Sequence, residues 1–223
     1  MYIGRIMHTD LVTVAPETTL VEARKIIEDK SIDHLLVVNK EKKLVGLVSD
    51  RDLKQYWASP ATSLSNHELS YLLEKVLISM VMVKTVVTVP TSTTIERAAL
   101  IMQQHRISSL PVMENDELVG IITSTDVMGV LLDAIGISDN SIRLGVFVND
   151  KTGKLAELTE TLSQADINIQ SLFCWPEKNH TDITQLVLRV ASNDGPKAIE
   201  VLTTKGFKVK NKYEKDITPF LPE

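Results

Sequence analysis

The order of apolar and polar positions in the first half of the chain runs through the same course twice. Residues 13–38 (TVAPETTLVEARKIIEDKSIDHLLVV) realign with residues 88–113 (TVPTSTTIERAALIMQQHRISSLPVM) at a constant offset of 75. The offset falls to 74 where Gly46-Leu-Val-Ser49-Asp-Arg-Asp52 matches Gly120-Ile-Ile-Thr123-Ser-Thr-Asp126, and one deleted loop residue explains the slip. Each copy opens on a run predicted as a short strand (Leu11–Val14; Val86–Val89). A helix start follows, with a capping-box pattern at Thr19-x-x-Glu22 and at Thr93-x-x-Glu96. One face of that helix carries Leu20, Ala23, Ile26 and Ile27, and in the second copy Ile95, Ala98, Ile101 and Met102. Two short strands come next (Leu35–Val38 with Leu44–Val48; Leu110–Met113 with Leu118–Ile122), then a second helix opening at Asp50 or Ser124. The strands are apolar on both faces, which predicts burial. Two copies are too few for a solenoid, so the pattern predicts one pseudo-symmetric module with a ligand-sized cleft between its halves.

Between the copies, Leu64–Met80 carries a third capping pattern, Ser65-x-x-Glu68, and a continuous helical stripe of Leu69, Leu72, Leu73, Val76 and Leu77. It reads either as a connecting helix packed on the module or as a docking or dimerisation surface. After Gly136 the pattern changes. Ser138-Asp-Asn-Ser141 is a polar linker, and Ile142, Leu144, Val146 and Val148 alternate with Arg143, Gly145 and Phe147 as a half-buried strand would. A polar turn over Asn149–Lys154 leads to a helix bearing Leu155, Leu158, Leu162 and Ala165. Strands at Ile167–Cys174 and Ile183–Val190, a helix between Pro196 and Gly206, and a last strand Phe207–Lys212 complete a βαββαβ order, the ferredoxin-like plan. The expected class is α/β (α+β). The expected divisions are a first repeat over 1–60, a helical insertion over 61–82, a second repeat over 83–136, a linker over 137–141, the C-terminal unit over 142–216 and a tail over 217–223.

Bulk properties narrow the function. At 223 residues with 43% apolar content the chain is an ordinary soluble globular protein, long enough for one large or two smaller cores. Its longest apolar runs are strand-length, so no membrane span is expected, and Arg5 and His8 interrupt the only apolar stretch at the N-terminus, unlike a signal peptide. A net charge of −5 argues against nucleic acid as partner. Cys174 is the only cysteine, which leaves no intrachain disulfide and points to a cytoplasmic home, with the thiol packed on a strand. His8, His34, His67, His105 and His180 show no metal-ligand spacing, and no metal or catalytic group is expected. Lys208, Lys210 and Lys212 fall on one strand face, as on a solvated edge.

The repeated Gly-h-h-[Ser/Thr]-x-x-Asp (h, apolar) is the sharpest chemical signal. A single copy is only a capped helix start. Two copies put a hydroxyl and an aspartate at two corresponding strand ends, where a carboxylate can accept from both hydroxyls of a ribose and a helix N-terminus suits phosphate. Arg51 adds a planar donor set for phosphate. Together with Ile107-Ser-Ser-Leu-Pro-Val112, this pattern resembles a pair of CBS domains (a Bateman module) over about residues 1–135. The resemblance implies adenine nucleotide (AMP, ADP or ATP) in the cleft between repeats. Aspartate would grip ribose, Ser/Thr would lie near ribose and phosphate, and first-strand backbone would read adenine. Carried over, the positions are Thr13, Val14, Ser49, Arg51 and Asp52, then Thr88, Val89, Thr123, Ser124 and Asp126. Two departures imply unequal sites: Thr125 stands where the first repeat has Arg51, with Arg106 or His105 as possible replacements, and Leu36 stands where the second has Pro111.

The C-terminal unit resembles an ACT domain. Asp150-Lys-Thr-Gly153-Lys-Leu155 fits an Asp-x-Pro-Gly-x-Leu turn with Thr152 in place of proline, and Asp166-Ile-Asn168-Ile fits Gly-h-Asn-h. The resemblance implies an amino-acid effector at a subunit interface, contacted by Asp150, Gly153 and Asn168, although Asn168 as a plain turn cap is an equal reading. Two CBS domains, a helical insertion and one ACT domain are similar to the acetoin-utilisation AcuB-type proteins. The expectation is a non-enzymatic homodimeric sensor that takes adenine nucleotide as regulatory ligand and acts on an unidentified protein target in acetoin or acetyl-unit metabolism. The alternatives are a nucleotide-processing enzyme using Asp52 or Asp126, and a ligand-free dimeric scaffold.

Overall fold

The computed structural model describes residues 1–57 and 66–222. Leu64 and Ser65 of the predicted insertion helix lie outside the described residues, as do the side chains of His67 and Leu69. The chain divides into two compact units, Met1–Met128 and Gly129–Glu223.

In the first unit each repeat builds a three-stranded sheet. The first contains β1 (Thr13–Val14), α1 (Leu20–Lys30), β2 (His34–Val38), β3 (Leu44–Ser49) and α2 (Asp50–Tyr56). After α3 (Asn66–Leu73) and α4 (Ile78–Val81), the second contains β4 (Val89–Pro90), α5 (Ile95–His105), β5 (Ser109–Glu114), β6 (Glu117–Thr123) and α6 (Ser124–Ile135). The sheet orders are β1-β2-β3 and β4-β5-β6, parallel at the first pair and antiparallel at the second. Registers correspond as the repeat requires: Val14 faces Val37 where Val89 faces Val112.

Helix α1 starts on the predicted capping box. The Thr19 hydroxyl accepts from the Glu22 N–H at 3.2 Å, and the Glu22 carboxylate accepts from the Thr19 N–H at 2.9 Å. The second copy departs from expectation by one residue. Thr94, not Thr93, caps α5, accepting from the Arg97 N–H at 3.3 Å. Arg97 occupies the place of Glu22 and cannot return the bond, while the Thr93 carbonyl is engaged by the Ile3 N–H at 2.9 Å. The predicted opening strands shrink to two residues each, because the chain before Thr13 and before Val89 runs off the sheet edge.

The two repeats are locked by an exchange of opening segments. Residues before the first repeat pair with the second, and residues before the second pair with the first. His8 and Ile121 exchange backbone hydrogen bonds at 2.9 and 3.0 Å, and Val83 and Leu47 do the same at 2.9 and 3.0 Å. The Ile95 N–H reaches the Met1 carbonyl at 3.1 Å, as the Leu20 N–H reaches the Val76 carbonyl at 2.8 Å. Ile3 and Ile78 are the fully buried anchors of these straps. Close approach needs glycine on the receiving strand, since a Cβ on Gly46 would lie 2.3 Å from the Met82 sulfur and one on Gly120 2.4 Å from the Met7 sulfur.

The same exchange explains why the insertion is not one continuous helix. The chain leaves helix after Leu73 so that Val76 and Leu77 can pair with the start of α1. Leu73 and Ile78 enter the core, whereas Leu72 of the predicted stripe faces outward.

The second unit contains β7 (Ser141–Asn149), α7 (Lys154–Gln164), β8 (Ile169–Pro176), β9 (Ile183–Ala191), α8 (Gly195–Thr204) and β10 (Val209–Lys210). Its antiparallel sheet has the order β10-β7-β9-β8. Leu144, Val146, Leu158, Leu162, Leu186, Leu188 and Leu202 form its core. Four expectations change here. Strand β7 is buried on both faces over 144–148 rather than half-buried. Leu155, in the first turn of α7, is exposed. Cys174 is exposed, because β8 is an edge strand. Finally, the last strand is only two residues long, and the lysine row at this sheet edge is solvated only in part: Lys212 is exposed, whereas Lys208 and Lys210 are half-buried and donate to the Leu221 and Glu214 carbonyls, each at 2.8 Å.

The straps yield a stability prediction. Ile3→Ala and Ile78→Ala should each cost about 2–5 kcal/mol, the usual range for truncating a buried isoleucine. Trp57 fluorescence during urea unfolding, in a Trp175→Phe background, measures this. A loss in only one of the two variants would show that the straps are not equivalent.

Candidate functional site

A cleft of about 410 Å³ opens between the repeats of the first unit. One wall carries the end of β3 and the start of α2, with Ser49, Asp50, Arg51 and Asp52. The other carries Arg106, Ser108, Ser109, Thr123, Ser124 and Thr125. Thr85, Val86 and Val87 supply an apolar flank.

The hydroxyl-x-x-Asp motif does two things with one set of atoms. Asp52 Oδ2 accepts from the Ser49 N–H at 2.8 Å and from the Ser49 hydroxyl at 2.7 Å, and the Asp52 N–H donates back to Ser49 Oγ at 3.2 Å. Thr123 and Asp126 repeat this at 2.8, 2.7 and 3.3 Å. Each motif is therefore a helix cap that fixes its carboxylate. The second oxygens differ. Asp52 Oδ1 has no hydrogen-bond partner among the described residues, whereas Asp126 Oδ1 accepts from His8 Nε2 at 3.0 Å. Burial alone would raise the Asp126 pKa, but hydrogen bonds from the Thr123 hydroxyl, the Thr123 N–H and His8 outweigh it and hold the carboxyl below its ordinary value.

The placement of the remaining candidates is uneven. Ser49, Arg51, Asp52, Arg106, Thr123 and Ser124 line the cleft, and Asp126 does not. Val14 and Val89 are buried strand residues and Thr13 and Thr88 are exposed, so none of the four reaches it. The chain enters the cleft two or three residues earlier, at Thr85–Val87, because the sheet begins only at Val89. In the second unit, Asp150 is exposed with its N–H on the Asp182 carbonyl at 2.7 Å, and Asn168 is exposed. Gly153 has φ +93° at the N-cap of α7, a conformation that explains the glycine without a ligand. A cleft of about 380 Å³ in that unit is lined by Asn149, Lys154, Glu157, Phe207 and Lys208 and includes none of the three.

Four cleft residues escape the motif: Asp33, His34, Ser108 and Ser109. His34 Nε2 and Ser108 Oγ meet at 2.9 Å across the two repeats. Ser109 is only 2% exposed, and its hydroxyl has no hydrogen-bond partner among the described residues. Register is the signal that finds two of them, since His34 pairs with Ser49 and Ser109 with Thr123.

Among the described residues, no group of three His, Cys, Asp or Glu side chains could hold a metal ion. No described helix is long and apolar enough to cross a membrane.

Residues 3–59 and 78–133, together half of the chain, each match the model of the CBS domain. The chain belongs to the CBS-domain family. Over 127 residues the CBS pair is 32% identical to a homoserine O-acetyltransferase of Methanohalobium evestigatum, covering 56% of this chain but only 23% of that enzyme. A solved CBS-domain pair in complex with 5′-methylthioadenosine and S-adenosyl-L-methionine shares the fold at 24% identity and TM-score 0.50, covering 60% of this chain and 97% of that one. A protein from Vibrio cholerae assigned to acetoin utilization is 31% identical with TM-score 0.49, over 60% of this chain and 91% of that one.

His34 gives the CBS pair a pH dependence. Burial disfavours its charged form and lowers its pKa, partly offset by Asp33 and Asp52. As pH falls below the ordinary histidine value of about 6.5, the unfolded chain takes up the proton first, so stability is lost on acidification. Between pH 7.5 and 5.5 the urea midpoint of the wild type should fall more steeply than that of His34→Gln. Parallel pH profiles would remove His34 as the cause.

Proposed function

We propose that the CBS pair is a non-catalytic regulatory module that binds adenine nucleotide in the cleft beside Asp52. One observation carries this reading: Ser49 holds Oδ2 of Asp52, leaving Oδ1 unpartnered beside a cleft flanked by arginines from both repeats. A fixed carboxylate can accept from both ribose hydroxyls, Thr85–Val87 offers an apolar side for the base, and Arg51 and Arg106 suit phosphate. Nucleotide would bias the module through unequal affinity for its conformations.

The second unit is read as an ACT domain. Its βαββαβ order and β10-β7-β9-β8 sheet support this, with the turn at Asp150–Gly153 and Asn168 as effector positions. Strand β8 is an eight-residue edge with Trp175 54% exposed, which favours pairing of two copies edge to edge into a homodimer. An amino acid at that junction would be the second effector. By the resemblance to AcuB-type proteins, the output would be control of acetoin or acetyl-unit metabolism in the cytoplasm through a protein target.

Asp52→Ala should weaken AMP binding by roughly ten- to a hundredfold in calorimetry, as expected for losing charged hydrogen bonds. Adenosine should bind the wild type more weakly than AMP. Unchanged affinity in Asp52→Ala would remove the site, and loss of AMP during incubation with magnesium would favour a nucleotide-processing enzyme. For the dimer, Trp175→Lys should shift sedimentation towards monomer at tens of micromolar. A wild type that is already monomeric there refutes the edge pairing.

A further inference from the structure

The two halves of the CBS pair present the same carboxylate in the same cap, yet only one is open. Position 8 corresponds to position 83 by the offset of 75, and both residues make the bridge that straps a repeat to its partner's sheet. In one half that residue is Val83, whose methyl groups cannot hydrogen-bond, and Asp52 Oδ1 is unpartnered among the described residues. In the other it is His8, whose imidazole lies 3.0 Å from Asp126 Oδ1. The oxygen left open on one side is covered by a side chain of the protein on the other.

We propose that His8 sets the order of filling: it occupies the Asp126 oxygen that would take a ribose hydroxyl, directing the first nucleotide to Asp52 and admitting a second only when the imidazole is displaced. This rests on the nucleotide reading of the cleft. The cover is removable. The His8 backbone is held in both directions by Ile121, but its side chain is 60% exposed, so a rotamer change alone uncovers Asp126. A ribose arriving there replaces a hydrogen bond already made, whereas at Asp52 it makes a new one. Apparent affinity at the second site is reduced by the fraction of time the carboxylate is covered. The displaced group sits on the opening strap, so filling of the second site is felt by the segment that ties the repeats together.

The decisive variant is His8→Val, which installs the residue found in the other half and keeps the backbone bridge. Calorimetry with AMP on the full chain should show one tight event and one weaker event in the wild type. In His8→Val the weaker event should tighten at least about fivefold, the low end of typical coupling between sites. In an Asp52→Ala background only the weaker event remains, and His8→Val should tighten it by the same factor. Independently of nucleotide, the His8 imidazole resonances of the ligand-free protein should move in Asp126→Asn. AMP binding with an unchanged second event in His8→Val overturns the proposal while leaving the nucleotide reading intact, and an unmoved His8 resonance also overturns it. Absence of AMP binding in every variant overturns both.

Discussion

The first unit depends on a reciprocal exchange: each repeat completes its neighbour's sheet with the residues that precede its own. Each three-stranded sheet here would otherwise present β3 or β6 as an unpaired edge. The backbone pairs of His8 with Ile121 and Val83 with Leu47 close those edges crosswise. Ile3 and Ile78, on the straps themselves, are fully buried, so each opening segment adds an apolar side chain to the packing as well as a backbone bridge. The cleft lies between the repeats that these straps tie together.

That constraint also explains how a binding group is held without a dedicated scaffold. The hydroxyl-x-x-Asp motif must cap a helix, and capping fixes only one carboxylate oxygen. The second oxygen is therefore available with its orientation already set, and no further residue is needed to position it. A ligand meeting such a group does not have to order it.

What the sequence disclosed follows the reach of each interaction. The paired repeats, the capping box at Thr19 and the hydroxyl-x-x-Asp caps were legible because they are bonds over three residues. The errors lie where a distant segment decides. The exception is Thr94, which caps α5 in place of Thr93 and which the offset of 75 reaches directly from Thr19. The insertion helix ends at Leu73, ahead of Val76, whose carbonyl takes the Leu20 N–H. Val86 and Val87, not Thr88 and Val89, reach the cleft because the strand starts late. His34 carries no local signature, since its proximity to Ser49 is a matter of cross-strand register, whereas Ser108 and Ser109 lie in the Ile107–Val112 stretch that accompanies the motif. Exposure of Cys174 likewise follows from the place of β8 at the sheet edge, which local periodicity does not encode.

Symmetry is what makes the differences between the halves meaningful. In an irregular fold, His8 beside Asp126 would be one exposed ion pair among several, and such pairs contribute little to stability. Here a second copy of the same cap serves as an internal control, with valine at the corresponding strap position and an uncovered oxygen on Asp52. Both positions meet the same backbone demand, the bridge to the partner sheet, and the side chain plays no part in that bridge. Histidine at position 8 is therefore not required by the strap, and its side chain hydrogen-bonds Asp126. Were both carboxylates to take ligand as proposed, two sites built alike and closed differently would respond over a wider concentration range than two identical ones, and the exchange of one residue would separate them.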